Sequence, residues 1–400
     1  MLNTAYEARD FAKKVNDRAR QGRHAYEGVM QEVQDLRRAG EITDNFSFRT
    51  LYEYLVPDGY EALRAMEHRR KMGSGVVMEA GGDAVMTTNF SNIIGQIAYA
   101  DVLNNFEQPE FIGGNLVTQI PATTGQRELV PGVTMIGDQA DQVGENEEYP
   151  TVGIGEQFII LPEVFKHGFI LNITEETIFE DKTGLVMQNF NKAAESMAIT
   201  EEKERLSTAL GITNTYARNG GPQQNTYGNT HTQGDFDNLI ASNPLVDKTS
   251  LSVAKNAFAD IIDPDTGEPI VLGTKYQIVV PDPLEWTLGD ILGAKEYRSQ
   301  PTRGASATQM ISGNPINMGG RTYEPLSNQY VSSVGGSDTS WFMGAFMKAF
   351  VERVIYPTQV QVQDKTGPLS FDRDVISRVK VRRRTRSAAK EPRYVQKHTA

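Results

Sequence analysis

Hydrophobic positions recur at helical spacing at the start of the chain, at strand spacing in its second quarter, and in short mixed runs thereafter. Residues 5–39 predict a helix: Val29, Val33 and Leu36 share a face, with Tyr26 one step upstream. Arg37 and Arg38 fall in its last turn, where cations suit the helix dipole, and Gly40 supplies a left-handed stop. A second helix is predicted over about 59–71, with Asp58 and Glu61 in capping-box spacing and Leu63 and Met66 on one face. Both are thin in apolar residues and rich in charge, so they read as an arm or scaffold-like segment that packs on something else. Gly73–Gly82 is a flexible joint, and Asn92–Phe106 is again helical through Ile94, Ile97, Ala98 and Val102.

From 111 to 172 the period changes. Short β-prone runs (Leu116–Ile120, Glu128–Val130, Gln157–Leu161, Phe169–Ile173) are separated by Gly and Pro turns. From Glu128 through Glu163 there are eight carboxylates and no Lys or Arg, and the centre of this stretch has almost nothing apolar to bury. That pattern predicts a long hairpin or loop that projects from the body and leans on a partner. The longest helix follows over about 182–210, with a stripe through Val186, Phe190, Ala194, Met197 and Leu206 and an i,i+4 pair of Glu201 and Arg205. At ~1.5 Å per residue it is about 40 Å long.

The rest alternates. Residues 212–250 predict an extended surface excursion, 251–262 a helix, Tyr276–Val280 a buried strand and Leu284–Leu292 a short helix. Residues 293–340 read as a loop-heavy tract, and Trp341–Tyr356 as a central core strand with a turn near Gly344. Gln359–Gln363 alternates, Asp364–Gly367 is a tight turn, and 371–381 is a strand that pairs back as a hairpin. The class is α+β.

Composition adds bounds. Four hundred residues with 39% hydrophobic and 23% charged residues describe a folded protein of two or three domains, or one elaborated domain. With no cysteine there are no disulfides, thiolate metal sites or cysteine nucleophiles. No apolar run approaches the ~20 residues of a membrane span, so no membrane partner is expected. The first residues lack a secretory layout, which places synthesis and at least initial use in a cytoplasm.

Charge is segregated. The net is −11, yet Phe371–Ala400 holds ten Lys or Arg against three Asp or Glu, a net of +7. The first 75 residues sum to about +1, which leaves roughly −19 for the middle. Arg382, Arg383, Arg384, Arg386, Lys390 and Arg393 are therefore candidate contacts, either to polyanionic nucleic acid or to the acidic surface of another subunit. The ordinary alternative is a half-buried strand of Val375, Val379 and Val381 whose arginines face water. On the acidic loop, Asp138, Asp141, Glu145, Glu147 and Glu148 are candidate inter-subunit contacts.

Catalytic signatures are missing. The five histidines (24, 68, 167, 231 and 398) stand in unrelated segments without metalloprotease spacing. Asp263-Pro-Asp265-Thr-Gly267-Glu268 has a faint calcium-loop look but lacks the full ligand set, and reads as a proline-initiated turn. There is no phosphate loop, dinucleotide fingerprint or serine-hydrolase elbow. The expectation is no catalytic residue, no metal and no cofactor, and hence a structural role.

The order of elements resembles the major capsid proteins of tailed bacteriophages, the Hong Kong 97-type shell fold. The sharper local likenesses are Ile173-Thr-Glu-Glu-Thr-Ile-Phe-Glu-Asp181 entering the long helix, the aromatic run Trp341–Phe350, Val360-Gln-Val362, and Phe371–Lys380. The resemblance implies an N-terminal arm or scaffold-like segment (1–110), an extended loop with flanking strands (111–175), and a spine helix with its excursion in a peripheral domain (176–240). It further implies an axial domain (241–345) and terminal strands with a basic tail (346–400). Whether the N-terminal segment is cleaved or retained stays open.

By the same resemblance the chain assembles with itself into hexamers and pentamers of an icosahedral shell. Portal and decoration or scaffold proteins are further partners, and the shell encloses double-stranded DNA without sequence specificity. The rival is the shell of a cellular nanocompartment, which holds protein cargo. Some shells of this fold are locked by isopeptide bonds from a loop lysine. Here residues 129–165 contain no Lys, so non-covalent docking is expected.

Overall fold

The computed structural model describes residues 10–15, 17–18, 23–39, 93–94, 96–97, 111–132, 142–143, 145, 148–149, 157–174, 185–229, 231, 236–263, 267–270, 272–299, 310–314, 316, 320–363 and 375–400. In chain order its elements are helix α1 (Arg23–Arg38), helix α2 (Gly113–Leu116), and strands β1 (Thr118–Pro121), β2 (Glu128–Pro131), β3 (Phe158–Leu161) and β4 (Phe165–Thr174). Helix α3 (Leu185–Ala209), β5 (Leu239–Ile240), α4 (Lys248–Ala259), β6 (Lys275–Val280), α5 (Asp282–Gly293), β7 (Glu296–Ser299) and β8 (Met310–Gly313) follow. The chain ends with β9 (Thr322–Ser327), α6 (Gln329–Gly335), β10 (Trp341–Gly344), α7 (Phe346–Ala349), β11 (Phe350–Gln363), β12 (Val375–Ala389), a 3-10 turn (Pro392–Tyr394) and β13 (Val395–His398). The class is mixed α+β. The predicted helix at 59–71, the joint at 73–82 and the turn at 364–367 lie outside the described residues.

The chain divides into two compact units. The first comprises 1–109, 166–200 and 356–384. Its N-terminal helical residues do not wait for an outside partner. Phe11, Ala12 and Val15 are buried, as are Val29 and Val33 of α1 and Ile93, Ile94 and Ile97. Lys14 pairs with Glu32, and the Gln34 amide donates to Gln96. In this unit β12 shows strand parity: Val379, Val381 and Arg383 are buried, while Arg378, Lys380, Arg382 and Arg384 on the other face are half-exposed.

The second unit comprises 110–165, 201–355 and 385–400. Its centre is a five-stranded sheet ordered β5–β13–β10–β6–β9. β10 sits in the middle because all four of its residues are buried, as a strand covered on both faces requires. It pairs antiparallel with β13 (Trp341↔His398) and with β6 (Phe342↔Val279), while β6 runs parallel to β9. The predicted single strand Trp341–Tyr356 is broken into β10, α7 and β11. Gly344 makes the break: its φ is 155°, and a Cβ there would lie 2.2 Å from the Tyr394 carbonyl oxygen.

The tract 293–340 is also more ordered than its sequence suggests. It holds the antiparallel pair β7–β8 (Glu296↔Gly313), the edge strand β9, and α6, whose N-cap Asn328 accepts from the Tyr330 N–H at 2.8 Å. Toward the other end of the unit, β2 and β3 pair antiparallel with Glu128 opposite Leu161 and Pro131 opposite Phe158. Most of the residues that join them, between 133 and 156, lie outside the described residues. Residues 116–120, predicted as one strand, are the end of α2 followed by β1, which pairs parallel with β11 (Thr118↔Val351).

Candidate functional site

At the base of the hairpin a single buried guanidinium gathers the chain. Arg353 of β11 is fully buried. Its Nη1 donates to the carbonyls of Gln126 (3.0 Å) and Pro162 (2.6 Å), and its Nη2 to the Thr124 carbonyl (3.0 Å) and the Glu128 carboxylate. Both arms of the hairpin are therefore tied to one side chain. The Thr123 hydroxyl, 2.7 Å from Glu128, and then Arg353 hold the Glu128 carboxyl below the usual carboxylate range.

The preceding residue points the other way. Glu352, 1% exposed, accepts from Arg205 of α3 at 2.7 and 3.2 Å and from Gln119 of β1 at 3.2 Å. Arg205 also pairs with Glu201, the i,i+4 contact expected from sequence. Burial opposes the charge on Arg205, and Glu201 and Glu352 more than offset it, so its pKa rises. One residue along α3, Glu202 accepts the N–H groups of Ile112 (2.9 Å) and Gly113 (2.9 and 3.0 Å) and the Asn328 amide (3.3 Å). Burial pushes its carboxyl up against these bonds. Gly113 is needed here, because a Cβ would fall 2.5 Å from the Glu202 carboxylate.

A second network closes the C-terminus. Arg393 donates to Glu391 at 2.7 and 2.8 Å and to Asp263 at 3.2 Å, all three side chains being at most 1% exposed. Asp263 belongs to the turn that looked faintly like a calcium loop. Its backbone closes that turn through Gly267 N–H (2.7 Å) and Glu268 carbonyl (2.8 Å) bonds, while its carboxylate serves Arg393. Beside β10, His398 is stacked on Trp341 (ring centroids 4.0 Å apart, planes 16° apart) and meets the Asn243 amide at 3.1 Å. Burial lowers the His398 pKa to about 3. Among the described residues no group of three metal-ligating side chains occurs. Most of these polar groups find partners within the networks, although Arg353 Nε and His398 Nε2 are buried without one, and what the networks do is fix geometry.

The residues singled out from sequence separate into different environments. In the acidic loop, Glu145 and Glu148 are exposed, beside Tyr149 at 83% exposure; Asp138, Asp141 and Glu147 lie outside the described residues. In the basic set, Arg383 is on the buried face of β12 and Arg393 is enclosed by carboxylates, so neither presents surface in this chain. The alternative of a strand whose arginines face water does not hold for Arg383, which alternation turns inward; Arg393 lies beyond the strand, in the 3-10 turn, where Glu391 and Asp263 enclose it. Arg382, Arg384, Arg386 and Lys390 remain half-exposed. Arg382 lies over the Tyr356 ring and donates to Gln359 at 3.3 Å. Arg386 lies over Phe165 and 3.7 Å from Glu204.

Sequence reasoning missed Arg353, Glu352, Glu202 and Asp263. The signal for two of them was present: Glu352 and Arg353 are adjacent charges inside the apolar run Trp341–Tyr356, where an unpaired charge is untenable.

Comparison with solved structures gives matches at low identity. The virus-like particle from Pyrococcus furiosus is 10% identical over 75% of this chain and 97% of that chain (TM-score 0.41). The capsid of Cyanophage P-SCSP1u is 10% identical over 72% and 88% (0.45), and the mature capsid of bacteriophage PhiM1 is 9% identical over 73% and 88% (0.43). No curated protein sequence matches the chain. Residues 156–398 match the family described as phage capsid protein. That match spans more than half of the sequence, from just before β3 through α3 and the five-stranded sheet to β13. The chain therefore belongs to the phage capsid protein family, as a non-enzymatic structural subunit of the capsid of phage-like particles.

Proposed function

We propose that the chain is the major shell subunit of an icosahedral head of the Hong Kong 97 type, assembling into hexamers and pentamers around double-stranded DNA in the host cytoplasm. The observation that carries this reading is the β2–β3 hairpin. Its base is rigidly held by Arg353, while its distal residues 132–157 contain carboxylates and no Lys or Arg. A braced foot with an acidic, apolar-poor extension is suited to lying across a basic surface of a neighbouring copy. Each exposed ion pair there contributes only ~0.2–1 kcal/mol, so strength comes from repetition. In this reading residues before 110 form the arm, 176–240 the spine, and 241–345 the axial domain. Portal, scaffold and decoration proteins are its further partners.

DNA is the content favoured by the outer face of β12. Arg378, Lys380, Arg382 and Arg384 follow one another at alternate positions, ~6.6–6.8 Å apart, beside a groove of about 560 Å³ lined also by Ile170, Gln361 and Gln363. Such a row suits phosphate contact without base reading. The test is to produce the chain, image the assemblies, and assay their content. Closed shells protecting DNA from nuclease support the reading. Shells filled with protein would make this a nanocompartment, and a 44.3 kDa monomer under all conditions would exclude both.

A further inference from the structure

Within the first unit, one sheet face carries two parallel rows of different chemistry. Strand β12 lies between β11 and β4. Its side chains Arg378, Lys380 and Arg382 are half-exposed and stand at alternate positions, ~6.6–6.8 Å apart. On β11, Gln359, Gln361 and Gln363 repeat at the same interval, the last two exposed. The rows adjoin: Arg382 Nη2 donates to Gln359 Oε1 at 3.3 Å, and Gln361 and Gln363 line one groove with Arg378 and Lys380. On the β4 side, Arg378 Nε donates to Asn172 Oδ1 at 3.0 Å. A guanidinium has five N–H donors, so these bonds leave each arginine with others to offer. In a chain of net charge −11, β4, β12 and residues 356–363 contain no Asp or Glu. Acids resume only past the strand ends, at Glu175, Glu176, Asp364, Asp372 and Asp374, which lie outside the described residues.

We propose that the two rows together hold the backbone of duplex DNA in preference to a single strand. The basic row neutralises phosphates, and Gln361 and Gln363 donate uncharged hydrogen bonds to the same backbone. The proposal rests on the reading of this face as a DNA contact and deepens it, by naming the form of DNA and adding the two glutamines. A single strand is ordinarily gripped by stacking its bases on open aromatic rings. Among the described residues of β4, β11 and β12, the ring beside these rows is Tyr356, and the Arg382 guanidinium covers it at 5.0 Å from the ring centroid. A duplex keeps its bases stacked on one another and turns its phosphates outward, so it needs no such platform. The amides matter for a separate reason. A Gln NH2 binds a phosphate oxygen without neutralising it, so it strengthens binding without adding salt dependence.

The test titrates a short DNA duplex, and one of its strands alone, against the full-length chain over a range of salt concentrations. With three cations engaged, log affinity for the duplex is expected to fall against log salt with a slope of about 2.7, ~0.9 per phosphate. Joint replacement Gln361→Ala and Gln363→Ala is expected to weaken duplex binding about tenfold at every salt concentration, with the slope and the thermal midpoint unchanged. Lys380→Gln is expected instead to lower the slope by about 0.9. The single strand is expected to bind at least about tenfold more weakly than the duplex. Parent-like affinity in the double glutamine variant, or a single strand held as tightly as the duplex, overturns the proposal. Variants that bind duplex normally but no longer assemble would give this face to a neighbouring subunit and overturn it too. If the parent binds no duplex yet forms closed shells, the proposal fails while the shell-subunit reading stands. Duplex binding of the expected kind by a chain that never assembles would uphold the contact and sink the shell reading.

Discussion

Arg353 and Glu128 meet at the mouth of the β2–β3 hairpin, where the guanidinium that pairs with the carboxylate also caps three carbonyls from Thr124, Gln126 and Pro162. Replacing Arg353 with Met takes the donor away from all of these acceptors at once, and their residues are half-buried or exposed enough for water to replace part of it. A loss of about 1–3 kcal/mol is expected. Arg353→Lys should fall between, because an ammonium cannot reproduce the fork. Hydrogen exchange at Leu129 and Val130 reads the effect. Unchanged protection in Arg353→Met would show that the hairpin foot is held by other means.

Arg393 separates a folding role from the proposed DNA contact. Arg393→Ala strands Asp263 and Glu391 in the interior, so a loss of about 3–5 kcal/mol and little soluble protein are expected. Lys380, Arg382 and Arg384 behave differently. Their replacement by Gln should leave the denaturation midpoint nearly unchanged, lower DNA retention, and flatten the salt dependence by about 0.9 for each phosphate no longer neutralised. Loss of assembly with normal DNA affinity would instead assign this face to a neighbouring subunit.

His398 sets a pH dependence. Its folded pKa, about 3, lies below the ordinary 6.5. Above 6.5 both folded and unfolded states are neutral, and the group has no effect. Below that the unfolded chain binds a proton that the fold refuses, so stability falls by up to ~1.4 kcal/mol per pH unit as pH drops toward 3. His398→Phe should flatten the denaturant midpoint between pH 6.5 and 4.5. An identical slope in the variant would assign the pH effect to other groups.

No covalent locking is expected. With no Lys in residues 129–165, denatured particles should run as a single band near 44.3 kDa, or lower if the N-terminus is trimmed. A ladder of multimers in hot detergent would refute this.

How far the sequence reaches depends on where burial partners lie. Helix α3, predicted over 182–210 and observed over 185–209, was legible because its stripe is local. The strands at 128–131 and 158–161 were legible from β-prone runs between turns. β9 was not: it is an edge strand, mostly exposed and carrying Pro325, so its only strong determinant is pairing with β6. α7 hid inside an apolar run because uniform hydrophobicity carries no period. Arg393 read as tail charge because its partner Asp263 lies 130 positions earlier. Candidate contact residues suffered most, since strand parity and distant counter-charges decide which arginines reach the surface.

Adjacent in β11, Glu352 and Arg353 also act as a parity mark. Successive strand residues face opposite sides, so slipping β11 by one position along β1 would, according to its direction, bring either Glu352 to the carbonyls at the hairpin foot or Arg353 to the place that faces Arg205. Either slip sets like charges or acceptors against one another and leaves a valine where the other charge stood. A misthreaded copy would thus betray itself as unstable before meeting another. The pool from which a particle is built is screened for strand register one chain at a time, ahead of any contact between chains.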